Sequence, residues 1–303
     1  MNGIKADLVV DCRNTLGEMP KWDPVAHTLF WIDVIAPGRL FHFDTRRQAV
    51  DFLQFEHAVT SLATCARSTD LLLAAEREIW RLDRQGSKRT LLYALPADQA
   101  LHRFNDGAVD RAGRFWIGSM PNNLIQPPGR PARLEASGKM FAIGASGAAK
   151  TFDAAFACPN AICWSPDGSL LYVADSVSQW MYAYDFDVAA GEISGRREFC
   201  RLDGLGIPDG AAVDTDGYIW NARWGAGVIA RIDPRGRLVQ TVALPVTNPT
   251  ACCFGGSGRN VLYVTSARHG LSRQQLMQEP LAGGVFAIAT ATAGLPANSF
   301  GAA

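Results

Sequence analysis

Apolar and polar residues alternate along this chain in short runs, and the runs recur. One phrase is a polar turn followed by a brief apolar or aromatic stretch: Trp22-Asp23-Pro24, then Leu29-Phe30-Trp31-Ile32-Asp33. It returns as Val109-Asp110 through Phe115-Trp116-Ile117-Gly118, as Trp164-Ser165-Pro166-Asp167-Gly168 through Leu171-Tyr172-Val173, and as Val213-Asp214 through Ile219-Trp220. A further copy ends in Val261-Leu262-Tyr263-Val264, and a weaker one is Ser68-Thr69-Asp70-Leu71-Leu72-Leu73. Aligning Trp31, Leu73, Trp116, Tyr172, Trp220 and Tyr263 gives steps of 42, 43, 56, 48 and 43 residues. Each copy is followed by a second period-2 run, such as Arg39-Leu40-Phe41-His42-Phe43-Asp44 or Trp180-Met181-Tyr182-Ala183-Tyr184-Asp185. Period-2 runs bounded by Gly, Pro and Asp read as strands joined by tight turns. Six such pairs, at a spacing that fits one four-stranded sheet each, predict an all-β, six-bladed β-propeller.

Helical patterning is confined to Ser272–Glu279, a short surface excursion. The longest step contains Asn122-Asn123-Leu124-Ile125-Gln126-Pro127-Pro128-Gly129-Arg130-Pro131, and a Pro-rich run cannot continue a strand ladder. Residues 121–135 are therefore expected to be a long loop over one mouth of the central channel. No linker or shift in composition divides the 303 residues, so a single domain spanning 1–303 is expected.

Composition narrows the partners. Lys+Arg and Asp+Glu are equal at 29 each, so no long-range field favours nucleic acid or an anionic membrane, and a small ligand fits better. The first residues lack the apolar core of a signal peptide, and no apolar stretch is long enough to span a bilayer. Seven cysteines, odd in number and without a C-x-x-C, read as free thiols in a reducing cytoplasm.

Familiar catalytic signatures (G-x-S-x-G, H-E-x-x-H, a P-loop) are missing. Gly225-Ala226-Gly227 opens a strand rather than a helix, so it is no dinucleotide fingerprint. Asp214-Thr215-Asp216-Gly217 resembles the start of a calcium loop, but position twelve is Gly225 and the same turn recurs in other blades. What remains is a set of polar residues just before the innermost strands, which line the channel. Glu18, Asn105, Asn160 and Asp209 precede their aromatic markers by 13, 11, 12 and 11 residues, so they share a phase. Two carboxylates and an amide make an oxygen-rich site suited to Ca²⁺, Mg²⁺, Mn²⁺ or Fe²⁺, with Zn²⁺ less favoured. The competing reading makes each acid a turn cap. Strand alternation turns Asp106 away from Asn105 and gives it a structural role. The five histidines, His102 and His269 among them, show no ligand spacing.

At these residues the sequence closely resembles the SMP-30/gluconolactonase family, which includes regucalcin and bacterial sugar lactonases. The matching stretches are Leu16-Gly17-Glu18-Met19-Pro20-Lys21-Trp22, Arg103-Phe104-Asn105-Asp106-Gly107, Asn160-Ala161-Ile162-Cys163-Trp164 and Pro208-Asp209-Gly210. The likeness continues through Asn221-Ala222-Arg223-Trp224-Gly225 and the closing Ser266-Ala267-Arg268. It implies one divalent metal held by Glu18, Asn160 and Asp209, and substrate or water contacts from Arg103 and Asn105. The stretch after Met120 departs from the animal members, and no residue is carried over from it.

The implied activity is metal-dependent hydrolysis of a sugar-acid lactone to the aldonic acid, in carbohydrate catabolism. The metal would stabilise the developing oxyanion, and Asp209 would double as the acceptor of a proton from attacking water. A non-catalytic metal-binding propeller and a related metal-dependent esterase or organophosphatase are the alternatives.

Overall fold

The computed structural model describes residues 5–124 and 135–302. Of the expected mouth loop, residues 125–134 lie outside the described residues. Turn chemistry divides the chain where expected. Asp214 accepts the amides of Asp216 and Tyr218 on one carboxylate oxygen and the Trp220 indole N–H on the other, at 3.1, 2.9 and 3.0 Å. Asp110 does the same for Arg114 and Trp116, so this Asp is a hairpin device, as the recurrence of the motif required.

Six separate four-stranded antiparallel sheets result. Their innermost strands are Gly17–Asp23, Val59–Thr64, His102–Val109, Pro159–Trp164, Ile207–Val213 and Pro249–Gly255. Each touches the innermost strands of both neighbouring blades, so the six close a ring. The chain is thus a six-bladed β-propeller. Blade six is completed by the N-terminal strand Ala6–Val10, which pairs with Val285–Ala289. That pairing ties the two ends of the chain across the ring closure.

No ladder joins one blade to the next, and the junctions are apolar. One hydrophobic cluster straddles each of the six junctions. Trp31, fully buried, stacks on Phe41 at 5.0 Å between blades six and one, and Trp116 stacks on Phe152 at 5.3 Å beside blade four. Burying a side chain of this size stabilises by about 1.5–3 kcal/mol, so the large aromatics carry much of the ring's cohesion.

The helical excursion is real and short. Arg273–Gln278 is capped by Ser272, whose hydroxyl accepts the Gln275 amide. The last residues cross the channel's far end. Leu295 N–H donates to Val213 O, Asn298 to Val109 O, Phe300 N–H to Thr64 O and Gly301 N–H to Gly113 O. With Phe300 only 3% exposed, this strap packs across one end of the channel, opposite the starts of the innermost strands.

Candidate functional site

Every innermost strand carries a β-bulge near its start, and the candidate residues lie at the bulges. Register shifts fall between Glu18 and Lys21, Phe104 and Gly107, Asn160 and Cys163, and Pro208 and Ala211. A bulge re-aims a side chain that regular alternation would turn into a blade. Met19 and Ala161, immediately after Glu18 and Asn160, hold φ of 54° and 55°, a left-handed conformation that L-residues adopt only under constraint. The loops entering these strands are clamped from the same blade. Asp33 accepts the amides of Thr15 and Leu16 ahead of Glu18, and Asp175 those of Ala157 and Cys158 ahead of Asn160. Arg223 donates to the carbonyls of Leu205 and Gly206 ahead of Asp209, at 2.8 Å each.

The structure brings the predicted residues to one mouth of the channel. Asn105 Nδ2 lies 3.0 Å from Asn160 Oδ1. Asn160 donates its own Nδ2 to Ser176 Oγ at 2.7 Å and to Cys158 Sγ at 3.8 Å, which leaves Oδ1 as the group it offers. Asn160 and Asp209 are each 8% exposed. Among the described residues Glu18 accepts a 3.3 Å bond from the Met19 amide, and no Lys or Arg forms an ion pair with Glu18 or Asp209, although the charge of Arg103 bears on Glu18. Burial, then the nearby Asp209 and Asp106, push the Glu18 carboxyl well above its ordinary range. Burial and then Asp106 do the same to Asp209.

Acids that resist ionisation because they are desolvated and, secondarily, face other carboxylates are an arrangement that a divalent cation relieves. Among the described residues no three His, Cys, Asp or Glu side chains gather as a metal-holding group. The donors that do converge are two carboxylates and a carboxamide, an all-oxygen set that fits a hard cation.

Arg103 is 5% exposed and its guanidinium is largely engaged. It donates to Asn105 Oδ1 at 2.7 Å, to Phe104 O at 2.9 Å, and to Asn123 Oδ1 at 3.0 and 2.8 Å. Burial lowers its pKa to about 10, which leaves it cationic at neutral pH. Arg103 thus orients Asn105 and Asn123. Asn105 in turn has both Nδ2 hydrogens facing Pro159 O and Asn160 Oδ1.

Two contributions escape sequence reasoning. Asp106 accepts the Ile162 amide at 3.0 Å, a structural bond, yet its charge also bears on Glu18 and Asp209. The bond to Ile162 agrees with the structural role expected of Asp106, and the bulge ending at Gly107 also brings its charge to bear on the channel acids. Asn123, in the segment from which no residue was carried over, reaches back to Arg103. His102 bonds Ser137 rather than any site residue at 2.9 Å.

Residues 16–268 match the family described as SMP-30/Gluconolactonase/LRE-like region, an interval that includes every residue of the site. The chain is 35% identical to regucalcin of Gallus gallus over 292 residues, covering 95% of each chain. It is 33% identical to regucalcin of Oryctolagus cuniculus over 305 residues, 99% of each. A solved calcium-binding regucalcin of Agrobacterium tumefaciens superposes with a TM-score of 0.89 at 25% identity, covering 98% of each chain. A gluconolactonase of Xanthomonas campestris shares the fold, with a TM-score of 0.74 at 23% identity over 94% of this chain and 89% of that one. The bulged strand starts and the full-length likeness point to the same conclusion: this chain belongs to the SMP-30/gluconolactonase/LRE-like family.

Proposed function

We propose that the protein hydrolyses the lactone of a sugar acid to the open-chain acid, with one divalent cation held by Glu18, Asn160 and Asp209. The observation that carries this reading is the convergence of the buried Asp209 and half-buried Glu18 carboxylates with the Asn160 carboxamide at one end of the channel. The family name, which includes gluconolactonase, and the calcium binding ascribed to the Agrobacterium relative support it. When bound, the cation supplies Lewis-acid chemistry, polarising an ester carbonyl and making water more acidic.

The chain's own residues do the rest. Asp209 accepts the proton of the water that attacks the lactone carbonyl, its carboxylate standing beside the place where the cation would be held. The ring C–O bond then breaks, and the released alkoxide takes up a proton to become a hydroxyl. Arg103 holds Asn105 through Oδ1, and the remaining lone pair of that oxygen, with the one Arg103 N–H not yet engaged, would meet sugar hydroxyl groups, a contact that discriminates strongly in a desolvated site. All seven cysteines are free thiols, in keeping with a cytoplasmic location.

The experiment is a pH-indicator assay over a panel of aldonolactones, with chelator-stripped protein reloaded with Ca²⁺, Mg²⁺, Mn²⁺, Fe²⁺ or Zn²⁺. Turnover with at least one metal, lost in Asp209→Ala, is the expected result. Metal binding without turnover of any lactone would instead establish the second reading, a non-catalytic calcium-binding propeller, which the calcium-binding relative favours.

A further inference from the structure

The three proposed ligands come from three different blades, and no extended ladder joins one blade to the next; a single bridge, Leu16 to Ala267, links blades six and one. Metal coordination tolerates errors of only about 0.5 Å, so something other than apolar packing has to set the spacing. The carbonyl directly before each ligand is bound by a side chain from the preceding blade. Thr250 Oγ1, in blade six, donates to Gly17 O, before Glu18. Asn105 Nδ2, in blade three, donates to Pro159 O at 2.9 Å, before Asn160. Ser176 Oγ, in blade four, donates to Pro208 O at 2.7 Å, before Asp209.

Fixing the carbonyl of residue i−1 fixes the peptide plane from which residue i projects, and so the direction of its side chain. Ser176 does more, because its one hydroxyl also accepts Asn160 Nδ2 at 2.7 Å. It therefore fixes which end of the Asn160 amide faces the channel and couples that amide to the backbone of Asp209. Thr250 is fully buried, and its hydroxyl lies 2.8 Å from that of Thr265.

We propose that Ser176 and Thr250, with Asn105, are positioning residues that hold the three ligands at coordinating separation across the blade junctions. The proposal rests on the metal reading above. It gives these hydroxyls a role beyond satisfying buried carbonyls, because each carbonyl they bind directly precedes a proposed ligand.

The test titrates Mn²⁺ alone into the chelator-stripped full chain, with free Mn²⁺ read by its electron paramagnetic resonance signal. Ser176→Ala and Thr250→Val are each expected to weaken Mn²⁺ binding by about 10–100-fold, the range for lost outer-shell partners. Ser176→Thr and Thr250→Ser, which keep the hydroxyl, are expected to remain near wild type. Ser176→Cys, similar in size but a weaker donor, should fall between. Mn²⁺ affinity unchanged in both Ser176→Ala and Thr250→Val, with binding lost in Asp209→Ala, would overturn the positioning role and leave the metal site standing. Wild-type affinity in Asp209→Ala would overturn the metal reading itself.

Discussion

The two ends of the channel are built from the same six strands and do opposite things. At the mouth, the strand starts are bulged, polar and cross-linked between blades, and carboxylates are held where they repel one another. At the far end the strands run regularly into Trp22, Val109, Trp164, Val213 and Phe254, around a cavity of about 200 Å³ of mixed lining, with Lys21 and Arg111 beside apolar groups, bordered by Leu295–Asn298. One end gives up stability to present chemistry, and the other supplies cohesion through the strap bonded across it. A bulge of one or two residues separates the two roles within a single strand.

The largest expected effect breaks the chemical end alone. Asp209→Ala should lower lactone turnover on the order of 10³-fold, the consequence of losing several kcal/mol of charge stabilisation, while the far end keeps the propeller folded. Steady-state kinetics beside a circular dichroism spectrum checks both halves. Next, Phe300→Ala strikes the opposite end. Removing a buried Phe costs about 3–5 kcal/mol, so the denaturant midpoint should fall while turnover per folded molecule stays near wild type. Loss of activity without loss of stability would contradict the division between the ends.

Arg103→Lys should be intermediate in effect, because an ammonium cannot bridge Asn105 and Asn123 as the guanidinium fork does. A fall in kcat/KM of about tenfold is expected, read from initial rates, with little change in the unfolding midpoint.

A pH series sharpens the contrast further. A carboxyl whose folded pKa is raised destabilises the fold above that pKa, and the penalty vanishes below the ordinary aspartate range. The metal-free protein should therefore lose thermal stability as pH rises through the raised Asp209 range, and Asp209→Asn should flatten that slope. A cation that binds the carboxylates should flatten it as well. Thermal scans in chelator from pH 5 to 8 make the comparison. The smallest effect belongs to Met277, which is 68% exposed on the helix. Met277→Lys should change stability by no more than about 0.5 kcal/mol in the same scans.

Much of the fold was legible because each blade repeats its own local grammar. The Asp turn followed by an aromatic strand marks four blades plainly, and the one α-helix among the described residues, Arg273–Gln278, lies inside the Ser272–Glu279 segment expected to be helical. Closure of the ring was not legible, because Ala6–Val10 finds its partner Val285–Ala289 at the other end of the chain and local patterning says nothing of such pairings. The C-terminal strap is hidden for the same reason. Within the site, Glu18, Asn105, Asn160 and Asp209 could be found by phase, because each stands at the same point before its aromatic marker. The reach of the Asp106 charge to the channel acids could not, since it depends on the bulge that interrupts regular alternation there. Ser176 and Thr250 read in sequence as ordinary strand-end hydroxyls, and their meaning depends on which blade lies next to them in space.

The most direct test of the central claim measures metal content and lactone turnover in one sample. Chelator-stripped protein is reloaded stepwise with Mn²⁺, and bound metal and initial rate are recorded at each step. The account predicts turnover that rises in proportion to occupancy and levels off at one equivalent, and loss of both signals in Asp209→Ala. Full turnover in the stripped protein, or in Asp209→Ala, would contradict it.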